Sequence, residues 1–185
     1  VMYRLISILS KVELKKIFQA KELTDIDFEK IGKAVELLEK SNFFIDDTSA
    51  LSPSEILSRS RKLKREFPEL GLVVLDYLQL MRADNSNPSR VNEMSEISRA
   101  TKALAKELDV PVIALSQLNR ASETRTNKEP IMADLRDSGA LEQDADLVIF
   151  PFRPEFHEPT PENKGIAKVI VAKHRNGETG NILLH

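Results

Sequence analysis

At 185 residues the chain is long enough for one domain with a stable core, and its 41% hydrophobic and 30% charged residues fit a globular protein. The absence of cysteine excludes a disulfide framework and a thiolate metal site. No apolar run reaches bilayer-spanning length and no secretory signal pattern is present, so a cytoplasmic protein with no membrane partner is expected. A net charge of −2, no Trp and 2 Tyr exclude a globally basic surface and a base-stacking platform as the main grip on nucleic acid; such a surface would be a local patch or the product of an assembly.

Helical spacing alternates with short apolar runs along the chain. Met2 to Leu9 reads as a helix with no capping residue ahead of it, and Asn181 to His185 reads as a strand cut short; both ends are expected to continue into something longer. Thr24 can cap a helix running to about Ser41, with Ile31, Ala34, Val35 and Leu38 on one face. Phe43-Phe44-Ile45 reads as a strand ending at Asp46-Asp47. Ser52-Pro53-Ser54-Glu55 combines a capping box with a first-turn proline. The helix it starts turns Ile56, Leu63 and Phe67 inward and Arg59, Arg61, Lys62, Lys64 and Arg65 mostly outward, a basic run read first as a solvated face and second as a DNA contact.

Leu72-Val73-Val74-Leu75 is a continuous apolar run, as expected for a strand buried on both faces. Arg82 to Arg90, with Asn85-Ser86-Asn87-Pro88, reads as a mobile loop. A helix from about Asn92 to Leu108 follows, with Ile97, Ala100, Leu104 and Leu108 on its buried face, and Val110 to Leu115 is the next buried strand. Ala121 to Asp134 is polar and reads as loose; Leu147 to Phe150 is a strand, and Glu155 to Lys164 holds two prolines and is a loop. Ile166 to Lys173 is a strand, and Asn176-Gly177 a hairpin turn into a last strand from Thr179. This order predicts an α/β fold with a mostly parallel sheet and an antiparallel hairpin at its end.

Four segments can carry chemistry. Asp76 follows the first apolar run; at the carboxyl end of a strand an aspartate can orient a magnesium ion and its waters beside phosphates, or simply form a turn. Gln117, in Leu115-Ser116-Gln117-Leu118-Asn119, can sense a γ-phosphate or orient water, or merely end its strand. In Asp134 to Asp146, Ser138 can start a short helix, leaving Arg136, Asp137 and the Gly139 backbone on a loop able to take a phosphate oxygen, or Arg136 and Asp137 form a surface ion pair of no function. In Lys173-His174-Arg175-Asn176-Gly177, strand alternation points Lys173 and Arg175 one way and His174 the other; two cations at a hairpin tip suit an arginine finger or ordinary edge protection.

Taken together and in order, Asp76 to Met81, Ala103 to Leu108, Pro111 to Arg120, Gly139 to Asp146 and Ala172 to Gly177 resemble the bacterial replicative DNA helicase family of DnaB type, over nearly the whole chain. The resemblance implies a RecA-like motor, its mostly parallel central sheet flanked by helices, that works as a homo-hexameric ring on single-stranded DNA with ATP and magnesium, alongside primase and a helicase loader. It makes Asp76 the Walker B aspartate and magnesium-orienting group, and Gln117 the γ-phosphate-sensing glutamine. It makes Arg136, Asp137 and Gly139 the loop that holds the DNA backbone, and Lys173, His174 and Arg175 the group that reaches a neighbour's nucleotide, with Arg175 as the finger. Arg4 matches a helix arginine that contacts the nucleotide.

Three departures accompany the match. The chain contains no G-x-x-x-x-G-K-[ST] phosphate loop, nor the glutamate the family carries just upstream of where this chain begins; the amino-terminal collar domain is missing; and Asp137 and His174 stand where the family often has glutamate and glutamine. The expectation is a partial RecA-like helicase domain over residues 1–185, from an ATP-dependent replicative helicase, that does not turn over ATP by itself. The alternatives are a RecA-type recombination or repair ATPase, against which Tyr77 to Leu80 and Arg136 to Asp146 argue, and a non-catalytic binding or scaffold module, against which the joint presence of Asp76, Gln117 and Arg175 argues.

Overall fold

The computed structural model describes residues 1–84, 89–119 and 125–185, with the side chains of 136–138 left out of the description. The chain divides into two compact units, Val1–Asp47 and Thr48–His185.

The first unit is helical. Helix α1 (Met2–Ser10) ends where Lys11 turns left-handed, and α2 (Leu14–Phe18) follows. Helix α3 (Asp25–Glu39) begins as expected at Thr24, in a reciprocal cap: the Asp27 backbone N–H donates to Thr24 Oγ1, and the Asp27 carboxylate accepts from the Thr24 backbone N–H at 3.1 Å. The triplet Phe43-Phe44-Ile45, expected to be a strand, is not one; all three residues are exposed, and no second strand lies in this unit for it to pair with.

In the second unit, Ser52 caps α4 (Pro53–Glu66) through the predicted capping box. Strand β1 (Val73–Leu75) leads to a tight turn at Leu78–Leu80, then to the long helix α5 (Arg90–Leu108) and strand β2 (Val112–Ala114). β1 and β2 pair in parallel, Val73 with Val112, Val74 with Ile113 and Leu75 with Ala114. Helices α4 and α5 cover one side of this pair. Leu104, Leu108 and Val110 pack with Ile56, Val73 and Val112, while Leu78, Met81, Met94 and Ile97 pack with Leu75. The other side is bare. Leu72, Val74, Ile113 and Leu115 are 45%, 54%, 52% and 42% exposed, so the expectation of burial on both faces does not hold among the described residues of this unit, where α4 and α5 reach one side.

A short helix α6 (Gly139–Asp144) precedes strands β3 (Leu147–Phe152), β4 (Ala167–His174) and β5 (Gly180–Leu184), an antiparallel sheet in that order. β3 alternates strictly, with Val148, Phe150 and Phe152 buried, and Leu135, Val148 and Phe150 form a separate core with Leu118, Met132, Ile170 and Ala172. The segment before α6 is tied down where described, against the expectation of a loose stretch to Asp134. Buried Asp134 accepts from Arg125 at 2.7 Å and from the Ile131 backbone N–H at 2.9 Å, and Lys168 pairs with Glu129 at 2.6 Å. Residues 132–138 form two short helical turns with a kink at Leu135, so the backbones of Arg136, Asp137 and Gly139 do not sit on an open loop. The part of the expected mobile loop at 85–88, and Arg120 to Thr124, lie outside the described residues.

Candidate nucleotide and DNA site

Parallel pairing brings the ends of β1 and β2 to one edge, and with them the two residues singled out after those strands. Asp76 directly follows β1, is exposed, and its carboxylate has no partner among the described residues. Its peptide bond to Tyr77 is cis. Gln117 stands three residues beyond β2 with its side chain exposed. Backbone bonds continue the pairing past the strands: Leu115 N–H donates to Leu75 O at 2.9 Å, and Leu78 N–H to Leu115 O at 2.9 Å. Leu78, fully buried under α5, anchors the turn between them.

One residue at this edge, Gln79, lies in the run Asp76 to Met81 but has no individual role marked by the sequence. The Gln79 amide nitrogen donates to Ser116 Oγ at 2.8 Å and to Gln117 O at 3.4 Å, while its Oε1 accepts from the Gln117 backbone N–H at 3.1 Å. The Gln79 carbonyl accepts from Arg90 at 2.8 Å, and Arg90 also pairs with Glu93 on the first turn of α5 at 2.8 Å.

The cations at the end of β4 form a second group. Lys173 donates to the carbonyls of Glu142 and Gln143 at 2.6 and 3.1 Å, placing a positive charge where α6 exposes its terminal carbonyls. Arg175 pairs with Asp146 at 2.6 Å and donates its backbone N–H to Asp146 O at 2.8 Å. Lys102 of α5 also binds Asp146. The Lys102 hydrogen bond, helped by the charges of Lys102, Arg175 and Lys173 and opposed by partial burial, holds the Asp146 carboxyl below its ordinary range. The Arg175 side chain is 49% exposed. His174 lies over Gly177 so closely that a Cβ there would fall 2.3 Å from the imidazole, and a side chain at that position would displace the exposed ring.

The remaining expected site residues are dispersed. Arg4 is exposed on α1 of the first unit. The backbones of Arg136 and Asp137 belong to the helical turns of 132–138, and their side chains lie outside the described residues. Gly139 opens α6 in an ordinary helical conformation, with open space around it.

Two groups implied by the resemblance can be tested against these residues. Among the described residues no cluster of three or more His, Cys, Asp or Glu could hold a metal ion. A lone exposed carboxylate at a strand end fits magnesium that keeps most of its waters and is shared with phosphates, and does not fit an all-protein cage. The exposed amide of Gln117 beside it, with a backbone fixed on both sides, fits a terminal phosphate.

The profile of the "DnaB-like helicase C terminal domain" matches residues 1–185. The chain is 47% identical over its full length to a replicative DNA helicase DnaB of Haemophilus influenzae. It is 49% identical, again over its full length, to those of Pasteurella multocida and of Buchnera aphidicola subsp. Schizaphis graminum. It spans about 40% of the length of each of these relatives. Among solved structures, one described as an ATPase domain superposes with a TM-score of 0.93 at 42% identity, covering 98% of this chain and 64% of that one. A DnaB-like replicative helicase, described with its interactions with primase, gives 0.93 at 42%, covering 98% and 44%. The RecA-like α/β fold expected from the sequence is the fold these neighbours share, and the chain belongs to the DnaB-like helicase C-terminal domain family.

Proposed function

We propose that this chain is the carboxyl-terminal part of the motor of a replicative DNA helicase, which hydrolyses ATP to move on single-stranded DNA and part a duplex. The observation that carries this reading is the shared edge of β1 and β2, where a carboxylate without a partner among the described residues (Asp76) and an exposed amide (Gln117) emerge from strands locked in parallel register. That is where an α/β sheet binds its ligand. Magnesium, when bound, would neutralise charge on the phosphate oxygens. Asp76 would orient the metal's water shell, and Gln117 would hold a γ-phosphate oxygen or the attacking water. Arg175, half-exposed at the hairpin and resting on Asp146, would reach a neighbouring subunit's nucleotide, with Lys173 and His174 beside it; Arg4, on α1 of the other unit, would be a separate nucleotide contact. Arg136, Asp137 and Gly139 would grip the DNA backbone, and a ring of six would line a channel with one such segment per subunit. The relative described with primase supports primase as a partner; a loader and a cytoplasmic setting belong to the same reading.

The test is complementation in the intact parent. Asp76→Ala and Arg175→Ala should each lower ATP turnover by roughly a thousandfold or more. Rings mixed from the two variants should regain measurable hydrolysis, because some interfaces then combine an intact Asp76 from one subunit with an intact Arg175 from the other. Mixed rings that stay inactive would overturn the trans role of Arg175; a fully active Asp76→Ala protein would overturn the nucleotide site itself.

A further inference from the structure

We propose that Gln79 is a positioning residue for hydrolysis: its side-chain amide clamps the backbone of Gln117 and the hydroxyl of Ser116, and thereby fixes where the Gln117 side chain points. The inference rests on the reading of Asp76 and Gln117 as a nucleotide site. The geometry is specific to an amide. Gln117 presents a backbone N–H and a backbone carbonyl toward the same side chain, so the clamp must accept once and donate at least once; Gln79 does both, with a further bond to Ser116 Oγ. A carboxylate could only accept, and a thioether of the same length could accept only weakly and could not donate.

The clamp itself is held from below. Leu78 is fully buried among Met81, Met94 and Ile97, the Leu78 N–H is bound to Leu115 O, and Arg90 holds the Gln79 carbonyl from α5. Gln79 therefore ties the turn that follows β1 and Asp76 to the segment that carries Gln117, beyond the last paired residues of either strand. Without it, the Gln117 backbone would lose both of these bonds, with the segment held on either side by Leu115, by the packing of Leu118 and by the bond from Asn119 N–H to Asp134 O, and the Gln117 amide would sample several orientations. A displacement of about an ångström in a positioned group can cost on the order of a hundredfold in rate. The expected signature is a fall in kcat with the KM for ATP held, because orientation of the reacting water is lost and the grip on the rest of the nucleotide is not.

The experiment uses the intact parent carrying Gln79→Met, Gln79→Glu, Gln117→Ala and the Gln79→Met/Gln117→Ala pair, with Asp76→Ala as reference. Hydrogen exchange should rise at residues 115–119 in Gln79→Met while the core of α5 stays protected. Turnover should fall roughly tenfold to a hundredfold with KM within about threefold. The double variant should be no slower than Gln117→Ala alone, because Gln79 acts only through Gln117. Gln79→Glu, which keeps the volume and the acceptor, should resemble Gln79→Met and guards against misfolding as the cause. Additive losses in the double variant, or unchanged exchange and turnover in both single Gln79 variants, would overturn the clamp while leaving the site intact. A parent that hydrolyses no ATP, or an active Asp76→Ala, would overturn the underlying reading and the clamp with it.

Discussion

Asp146 is the charged residue on which the second group of cations converges. It receives Lys102 from the helical layer and Arg175 from the hairpin, and it is 55% exposed. Exposed ion pairs are screened and contribute below about 1 kcal/mol each, so Asp146 is better understood as a rest for Arg175 than as a prop for the fold. Asp146→Asn should shift the urea midpoint only slightly at neutral pH. The sign of its pH dependence follows from the depressed carboxyl. The contribution is complete above the ordinary aspartate value of about 3.9. It is lost as pH falls through the lower folded value, where the carboxylate takes a proton. The wild-type and Asp146→Asn denaturation curves should therefore differ by a constant small amount at neutral pH and converge in strong acid. A gap that widens on acidification would contradict the assignment.

Among the elements, those set by neighbours in sequence are legible and those set by distant partners are not. The cap at Ser52 is read directly from Ser52-Pro53-Ser54-Glu55, because all of its bonds close within one turn. The cap at Thr24 is equally local. The buried stripe of α5 is readable from helical spacing, and it contains Ile97, Leu104 and Leu108 as expected. By contrast, Phe43-Phe44-Ile45 has strand composition and no strand to join. Asp134 reads as part of a loose stretch because its partner Arg125 declares nothing in sequence, and Gln79 has no individual role marked there because Ser116 and Gln117 lie 37 and 38 residues away. At the candidate site the order of segments marks Asp76 and Gln117, whereas the clamp between them needs coordinates.

The two caps also differ in what surrounds them. Ser52 is buried, its partner Glu55 pairs with Arg82 at 3.0 Å, and Asp84 accepts from Ser54. The Ser52 backbone N–H, then Arg82, keeps the Glu55 carboxyl below its ordinary value. The bonds between Thr24 and Asp27 are exposed. Ser52→Ala should cost about 1–2 kcal/mol by chemical denaturation and Thr24→Ala about 0.5–1 kcal/mol; equal losses at the two sites would show that burial around the cap does not matter.

At the scale of the whole chain the unusual feature is the uncovered side of the parallel pair. Leu72, Val74, Ile113 and Leu115 line one face in register and are each two-fifths exposed or more, whereas Val73, Val112 and Leu75 on the opposite face pack against α4 and α5. Adjacent exposed aliphatic side chains on a sheet face attract other apolar surfaces. A polypeptide of these 185 residues should therefore bind an environment-sensitive apolar dye in its folded state. Val74→Thr with Ile113→Thr should weaken that binding. Threonine keeps the β-branched shape that suits a strand, and both sites face away from the packed side. The pair should accordingly change stability by about 0.5 kcal/mol or less per site and leave the circular dichroism spectrum unchanged. Dye titrations of the two proteins, with denaturation curves as control, separate the outcomes. Equal dye binding would mean that the apolar contact lies elsewhere on the chain, and a large loss of stability would mean that this face is packed in solution.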